Sequence, residues 1–375
     1  MTLLRIAQDK TAPASESYKF PIPAGVTSMC RMATGRSALF HLIQRVPKQY
    51  ASTVLLPTYI AEGVIQPFLT AGATVLFYRL EHDLSPRIDD VERLLGQVNG
   101  DAIFVLLHYF GFPASSSELT EVLDRYHPVV VEDCAHAMFT TMMEDGQALS
   151  KNADIILYSF NKFLPVSDGA ILLSNRMDID LSIDENLMTE LPTEVIDAYQ
   201  NHLQAGSDLF QTKKQFDAKF FLEKLSDYYE NYYTFINNDL SPFRQSANSK
   251  DIADNFRYSS LVKNRLLNST ILYNELASPV FSLVYPKLPS GVVPWCVPAR
   301  VPSIRRTEII ESLFNQNILL STLQNKWNFI PTERYDFFDI EAGFLADHVL
   351  IPISEFITED SMRFMVERLN QFTNG

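Results

Sequence analysis

Apolar residues in the first half of the chain form short continuous runs, and longer segments with helical periodicity separate them. Val129-Val-Val131 and Ile155-Ile-Leu157 do not alternate with polar residues, which is typical of strands buried on both faces. The pattern predicts strands at 53–57, 74–78, 102–107, 128–133, 154–158 and 170–174. It predicts helices at 36–46, 60–70, 88–96 and 116–126. Strands that alternate with helices indicate an α/β fold with a mainly parallel sheet between layers of helices.

The ends of the chain follow different patterns. Residues 1–30 contain three prolines and are predicted to be irregular, whereas about 177–250 is predicted to be helical. The C-terminal part is predicted to contain a helix at 259–276, short strands between prolines, and helices at 305–316 and 359–372. We therefore predict a large domain at 1–265, which includes the helical segment, and a small C-terminal α/β domain at 266–375.

Composition excludes some classes of function. The chain has 375 residues and a net charge of −14, which argues against a nucleic-acid-binding surface. No apolar run approaches the length of a membrane span, and residues 1–10 lack the apolar core of a signal peptide. The three cysteines are widely spaced and form no metal or disulfide pattern, so we predict a cytoplasmic protein without a metal site.

Two of the predicted strands end in polar residues that suit the same cofactor. One strand ends at Asp133, and the next is followed by Ser159 and Lys162. Ligands of doubly wound sheets bind beyond the carboxyl ends of the strands. An amine there loses hydration and becomes a better nucleophile, while a carboxylate needs a cationic partner. Pyridoxal phosphate requires this set of groups: a lysine for a Schiff base, an anion at the pyridine nitrogen, and hydroxyl or amide donors for the phosphate.

Each of these residues also has a plainer interpretation. Lys162 could lie on a surface turn, Ser159 could be an ordinary turn residue, and Asp133 could cap a helix. Glu132 points to the opposite side of the strand from Asp133, so we choose Asp133 as the cofactor's carboxylate.

Other segments strengthen the prediction because they follow the order of one known family over roughly residues 30 to 370. They are Thr34-Gly-Arg-Ser-Ala-Leu39, Val54-Leu-Leu-Pro-Thr-Tyr59, Ala71-Gly-Ala-Thr-Val-Leu-Phe77, His108-Tyr-Phe-Gly-Phe-Pro113, Asn255-Phe-Arg-Tyr-Ser259, and Val349-Leu-Ile-Pro352 with Thr358-Glu-Asp360. With Asp133 and Lys162, they resemble the DegT/DnrJ/EryC1/StrS family of pyridoxal-phosphate-dependent sugar aminotransferases. The resemblance implies fold type I, with the cofactor held by the large domain.

The resemblance also implies roles for single residues. Lys162 would form the Schiff base and shuttle a proton, and Asp133 would hold the ring nitrogen. The other cofactor-binding residues expected from it are Gly35, Arg36, Tyr59, His108, His136, Ser159 and Asn255. Tyr59 is the candidate for stacking on the pyridine ring, with His108 as the alternative.

Several of these assignments leave an alternative open. Arg36 stands where the family has threonine and could hold the phosphate or point to solvent. His136 could be a structural histidine bonded to the backbone. Asn255 would reach the phosphate in a neighbouring subunit, which implies a homodimer with a shared active site, or it would cap a helix. Tyr228, Tyr229, Tyr232 and Tyr233 are expected to pack as the aromatic face of a helix or to line an entrance.

The implied activity is transfer of an amino group from an amino acid, glutamate by expectation, to a keto group of a nucleotide-linked sugar. The chain departs from the family in its short Ser159-to-Lys162 spacing and in Ser167-Asp-Gly-Ala170, where the family has Gly-Glu-Gly-Gly. The alternatives are a pyridoxal-phosphate enzyme for a non-sugar substrate, and a non-catalytic relative that binds the cofactor or a sugar nucleotide as a regulator.

Overall fold

The computed structural model describes residues 22, 23, 25–141, 149–150, 153–211, 218–256, 258–323 and 327–373. The strands are β1 (Ser28–Met32), β2 (Thr53–Pro57), β3 (Thr74–Tyr78), β4 (Ile103–Leu107), β5 (Val129–Asp133), β6 (Ile155–Ser159), β7 (Ala170–Ser174), β8 (Thr189–Glu190), β9 (Phe243–Arg244), β10 (Ser282–Leu283), β11 (Cys296–Arg300) and β12 (His348–Pro352). The helices are α1 (Gly35–Arg45), α2 (Lys48–Ala51), α3 (Glu62–Thr70), α4 (Ile88–Gln97), α5 (Ser117–Tyr126), α6 (Thr193–Gln211), α7 (Ala218–Asp227), α8 (Thr234–Asn238), α9 (Ala247–Asn255), α10 (Tyr258–Glu275), α11 (Arg306–Phe314), α12 (Asp339–Asp347) and α13 (Glu359–Leu369).

A seven-stranded sheet in the order β1-β7-β6-β5-β4-β2-β3 forms the centre of the large part of the molecule. Strands β3, β2, β4, β5 and β6 are parallel, while β7 pairs antiparallel with both β6 and β1. Every residue of β4, β5 and β7 is buried, as expected for continuous apolar strands covered on both faces. The predicted α/β class with a mainly parallel sheet is confirmed.

The structure corrects the prediction at two places. β1 begins within the segment that was predicted to be irregular and ends just after it; it is an edge strand in which only Cys30 and Met32 are buried, so it lacks a continuous apolar run. The rest of that N-terminal segment lies largely outside the described residues. The segment predicted to be helical from about 177 begins its first α-helix only at α6, after a 3₁₀ turn and β8.

The C-terminal part has a core of its own. The strands β10, β11 and β12 form a three-stranded antiparallel sheet, and α10, α11 and α13 contribute apolar side chains to the same core. Its central residues include Leu272, Val297, Ile309, Val349 and Met362. The predicted domain boundary between 265 and 266 falls inside α10 and stays a prediction.

A buried ion pair joins α10 to the C-terminal part and to the loop before β11. Arg265 Nε lies 2.6 Å from a carboxylate oxygen of Glu355, and both side chains are almost fully buried. Arg265 Nη1 donates to the carbonyls of Pro294 and Trp295 at 3.2 and 2.9 Å. One guanidinium therefore anchors three segments that are distant in sequence.

A second buried contact links α12 to the large sheet. The backbone N–H of Leu80 donates to Glu341 Oε1 at 2.8 Å, and Glu341 is fully buried. Burial raises the pKa of the Glu341 carboxyl to about 7, against the opposing effects of the backbone N–H donors and Arg79.

Among the described residues, none of the helices combines the length and the apolar character that a membrane-spanning helix requires.

Replacement of Glu355 by glutamine should lower the free energy of unfolding by about 3 kcal/mol, because it leaves the charge of Arg265 buried without its counterion. Urea unfolding followed by tryptophan fluorescence measures this loss. Glu190 forms an exposed pair with Arg244, so Glu190→Gln is the matched control and should cost less than about 1 kcal/mol. Equal losses in the two variants would contradict the anchoring role of the buried pair.

Glu341 should make stability depend on pH. A carboxyl whose pKa is higher in the folded chain stabilises it fully below its ordinary pKa of 4.5, and that contribution is lost as the pH rises to about 7. Between about pH 5 and about pH 8, the stability of the wild type relative to Glu341→Gln should therefore fall by about 2 kcal/mol. Chemical denaturation at the two pH values measures this. Glu333→Gln, at an exposed position, should keep the pH dependence of the wild type.

Candidate active site

A cavity lies at the edge of the sheet where β1 and the parallel strands end. Its lining includes seven of the residues predicted to bind a cofactor: Gly35, Arg36, His108, Asp133, His136, Ser159 and Lys162. They follow β1, β4, β5 and β6, and parallel pairing brings the carboxyl ends of β4, β5 and β6 to one edge. The predicted residues Tyr59 and Asn255 do not line this cavity.

Asp133 is the carboxylate of the cavity. It is the last residue of β5 and is buried, and its Oδ1 accepts the N–H of Ala135 at 2.9 Å. Burial raises the pKa of its carboxyl, while the Ala135 N–H and Lys162 act in the opposite direction. The chain after Asp133 forms turns, so the alternative that it caps a helix is wrong. A buried carboxylate with a raised pKa is a site that a cation would stabilise.

Lys162 ends a short 3₁₀ turn that follows β6 directly. Its carbonyl accepts the indole N–H of Trp295 at 2.9 Å, and its Nζ lies 5.2 Å from the centroid of the Trp295 ring. The backbone and the amine of the lysine are therefore both positioned by one aromatic side chain, and a lysine on a solvated surface turn is excluded.

His108 is fixed by hydrogen bonds on both ring nitrogens. Nδ1 accepts the N–H of Ala114 at 3.1 Å, so the neutral ring carries its proton on Nε2 and donates it to Glu132 at 2.9 Å. Cys134 lies near this pair, and its Sγ contacts Ser150 Oγ at 3.2 Å. Glu132 does not line the cavity, which agrees with the choice of Asp133 as the carboxylate of the site.

His136 is held flat between aromatic rings. Its ring stacks on Trp295 with centroids 3.9 Å apart and an interplanar angle of 18°, and it is nearly parallel to Trp327 at 5.6 Å. Its Nδ1 accepts the N–H of Phe110 at 3.4 Å. The histidine is thus bonded to the backbone, as the structural alternative expects, and it also lines the cavity.

The turn after His108 holds Trp295 in place. Gly111 has φ +98°, and a Cβ there would lie 2.8 Å from the carbonyl oxygen of Val293 and 2.9 Å from that of His136. Thr140 Oγ1 donates to the carbonyl of Gly111 at 2.7 Å, and the N–H of Trp295 donates to the carbonyl of Phe110 at 2.7 Å. Only glycine allows this close backbone approach.

The start of α1 forms a donor-rich wall. Thr34 caps the helix and accepts the N–H of Ser37 at 3.1 Å, while the N–H groups of Gly35 and Arg36 have no intrahelical acceptor. A Cβ on Gly35 would meet only Leu157, at 3.8 Å, so this end of the helix is open. Ser159 Oγ donates to Asn161 Oδ1 at 2.9 Å on the neighbouring wall. Backbone N–H groups and the positive end of the helix dipole favour an anion here.

Arg36 adds a positive charge to this wall. Its guanidinium carbon lies 4.7 Å from the centroid of the Tyr233 ring, and the side chain packs against Gly63. Nε and Nη2 of Arg36 are buried without a hydrogen-bond partner among the described residues. The alternative that Arg36 points to solvent is therefore wrong.

Aromatic residues from the helical segment cover the cavity. Residues 228–233 form a π-helical turn, and Tyr228, Tyr232 and Tyr233 line the cavity. Tyr228 and Tyr232 also belong to a separate apolar cluster, and Tyr233 packs against that cluster. The hydroxyl of Tyr232 donates to the carbonyl of Ser167 at 3.2 Å. The segment is thus both a packed helix face and a wall of the site.

The structure does not bring Tyr59 to the cavity, so its expected ring-stacking role is corrected to that of a core residue. Its ring is fully buried among Tyr109, Trp327, Phe344 and His348. The reason is that its backbone pairs with Asn328, which turns the segment toward the C-terminal part. The rings of Tyr109, His136 and Trp327 line the cavity instead.

Asn255 also lies away from the cavity. It is the exposed last residue of α9, and its Nδ2 donates to the backbone and side-chain oxygens of Asp251 at 3.0 and 2.9 Å. It therefore starts no helix, and its expected contact with a neighbouring subunit stays a prediction.

Sequence reasoning missed four residues that build the site: Tyr109, Asn161, Trp295 and Trp327. Asn161 lies between Ser159 and Lys162, so its position in the motif is a signal that could have identified it. The two tryptophans are the only ones in the chain, but they lie far from the motif in sequence and no local pattern marks them.

Comparisons with known proteins agree with this architecture. Residues 24–183 match the model of the DegT/DnrJ/EryC1/StrS aminotransferase family. GDP-perosamine synthase of Vibrio cholerae is 24% identical over 159 residues. That match covers 42% of this chain and 41% of the relative, so it spans about two fifths of either protein.

Solved structures match a larger share of the chain. The sugar aminotransferase CalS13 of Micromonospora echinospora is 18% identical, with 92% of this chain and 88% of that chain covered and a TM-score of 0.63. PseC of Helicobacter pylori, an aminotransferase involved in pseudoaminic acid biosynthesis, is 14% identical, with 92% and 87% covered and a TM-score of 0.61. At these identities the likeness shows the fold, and the predicted fold type I is confirmed.

Replacement of Gly111 by alanine should lower the free energy of unfolding by more than the positive φ angle alone explains. The added Cβ would collide with backbone carbonyl oxygens, which cannot rotate away as a side chain can. We expect a loss of about 3 kcal/mol or more in unfolding free energy, with a loss of the near-ultraviolet signal of Trp295. Gly72 has φ +79° and nothing near its Cβ, so Gly72→Ala is the matched control and should cost about 1 kcal/mol. Similar losses in both variants would show that the close approach at Gly111 is unimportant.

Proposed function

We propose that the protein is a pyridoxal-phosphate-dependent aminotransferase, on the premise that residues 24–183 match the model of the DegT/DnrJ/EryC1/StrS aminotransferase family. The observation that carries the proposal is the single cavity in which Lys162, Asp133 and the start of α1 meet. A nucleophilic amine, a buried carboxylate and an anion-binding wall at one sheet edge are the groups that this cofactor requires.

The residues present fit the cofactor in charge and in shape. Asp133 is a buried carboxylate with a raised pKa, which suits a protonated ring nitrogen as partner. At the start of α1, the N–H groups of Gly35 and Arg36 suit the phosphate, and Ser159 lines the same cavity. His136 also lines the cavity, where its stacking on Trp295 fixes the ring.

These residues would divide the work as follows. Bound pyridoxal phosphate supplies an electron sink for negative charge at a substrate carbon. Lys162 would hold the cofactor through Nζ and then move a proton to and from that carbon. Asp133 would hold a proton on the ring nitrogen by its negative charge. Trp295 would keep Lys162 and His136 in place, and the cover of Tyr228, Tyr232 and Tyr233 would limit access of water.

The substrates we propose are an amino-acid donor, glutamate in the first instance, and a keto group of a nucleotide-linked sugar as acceptor. The description of the family supports the amino transfer. A relative that is a GDP-perosamine synthase and a structural neighbour that is a sugar aminotransferase support a sugar as the acceptor class.

We also propose a homodimer and a cytoplasmic location. The exposed position of Asn255 at the end of α9 leaves it accessible to a second copy of the chain, as the resemblance implies. The three cysteines are free and buried in the structure, which suits a reducing compartment.

An absorbance spectrum of the purified protein tests the proposed function. Pyridoxal phosphate should give a band at the edge of the visible range, and Lys162→Ala should remove the lysine-bound band because it removes the amine that lines the cavity. Glutamate should then shift the wild-type band toward the pyridoxamine form. Lys263 is exposed on α10, so Lys263→Ala is the control and should behave as the wild type.

The outcomes separate the proposed function from its alternatives. No band at saturating pyridoxal phosphate would refute the cofactor assignment. A band that no amino acid shifts would identify a cofactor-binding protein without transamination. A band that shifts with glutamate but accepts only non-sugar ketones would keep the aminotransferase and replace the acceptor.

A further inference from the structure

Arg36 differs from other buried or partly buried arginines of the described chain. Arg265 pairs with Glu355, and Arg79 lies near Asp90, so their charges are balanced by carboxylates. Arg36 forms no ion pair among the described residues, and its Nε and Nη2 are buried without a hydrogen-bond partner. Arg36 is partly exposed as a residue, but two buried guanidinium nitrogens without an acceptor are costly, and an anionic ligand would remove that cost.

The surroundings of Arg36 hold its side chain at the cavity. The guanidinium lies on the Tyr233 ring at 4.7 Å, and it packs so closely on Gly63 that a Cβ there would lie 2.7 Å from the guanidinium carbon. The glycine and the tyrosine therefore form a slot that leaves the planar group little freedom. Such preorganisation reduces the entropy lost on binding.

The same wall carries other groups that favour an anion. The N–H groups of Gly35 and Arg36 lie at the start of the 11-residue helix α1, and Ser159 lines the same cavity. The protein as a whole carries a net charge of −14, so this local concentration of donors is not a property of the surface at large. A phosphate has enough oxygens to accept from backbone N–H groups and from a guanidinium together.

From this arrangement we infer that the guanidinium of Arg36 is a phosphate-binding group of this cavity, which adds a charge where the family pattern has a neutral threonine. The phosphate comes from the bound cofactor or from a phosphorylated substrate such as a nucleotide-linked sugar. The first source rests on the proposed function, whereas the binding of phosphate as such does not.

Fluorescence titration tests the inference, because Trp327 lines the cavity and Trp295 contacts Lys162. Wild type, Arg36→Gln and Arg36→Lys are titrated with pyridoxal phosphate and with pyridoxal, which lacks the phosphate. The dissociation constant of Arg36→Gln for pyridoxal phosphate should rise about ten- to a hundred-fold, the effect of losing a charge-assisted hydrogen bond, with little change for pyridoxal. Arg36→Lys should restore part of the affinity.

Arg45→Gln is the matched control, because Arg45 lies exposed in the last turn of the same helix. It should bind both ligands as the wild type does. Thermal midpoints without ligand confirm that each variant is folded before its affinity is compared.

A second titration identifies the source of the phosphate. If Arg36→Gln binds pyridoxal phosphate normally but the loaded protein loses affinity for a nucleoside diphosphate, Arg36 binds the phosphate of the substrate. If all dissociation constants stay within about two-fold of the wild type, the inference is overturned.

Failure of the proposed function gives a different result. If the wild type binds no pyridoxal phosphate, the cofactor assignment fails, and inorganic phosphate is then the probe. A phosphate-dependent rise in the thermal midpoint of the wild type that is absent in Arg36→Gln would still support Arg36 as a phosphate-binding residue. An equal rise in both proteins, or none in either, would overturn it.

Discussion

The site depends first on the parallel pairing of β4, β5 and β6. Parallel neighbours in register must end at the same edge of the sheet, so residues that follow different strands meet in space. Asp133 and Lys162 are brought to one cavity in this way, and the antiparallel pair of β7 and β1 adds the start of α1 to it. The backbone hydrogen bonds of the sheet are thus sufficient to bring Asp133 and Lys162 to the same edge.

The rest of the cavity is built by residues that the sheet does not carry. The ion pair of Arg265 and Glu355 fixes the loop that bears Trp295, and the indole then contacts His136 and the backbone of Lys162. These contacts join the C-terminal part to the sheet edge through buried, directional bonds. Such bonds contribute more to a single arrangement of the site than to net stability, since burying charges offsets much of their attraction.

Electrostatics divides the cavity into two regions. The buried carboxyl of Asp133 favours a cation, while the start of α1 and the guanidinium of Arg36 favour an anion. A ligand that is positive at one end and negative at the other matches both regions, as pyridoxal phosphate does. An acidic protein can hold an anionic ligand because burial makes the local charge decisive, whereas distant surface charges are screened.

The sequence by itself determined the strands of the parallel sheet and the residues at their ends, because continuous apolar runs and the polar residues that follow them are local patterns. Asp133, Ser159 and Lys162 could be assigned to one edge for that reason, whereas the start of α1 could not, because β1 before it was not predicted. Only the tertiary structure decided which aromatic rings line the cavity. Pairing with Asn328 places Tyr59 in the core, while Trp327, from a loop far along the chain, lines the cavity. Such contacts between distant segments depend on packing, which leaves no periodic signal in the sequence.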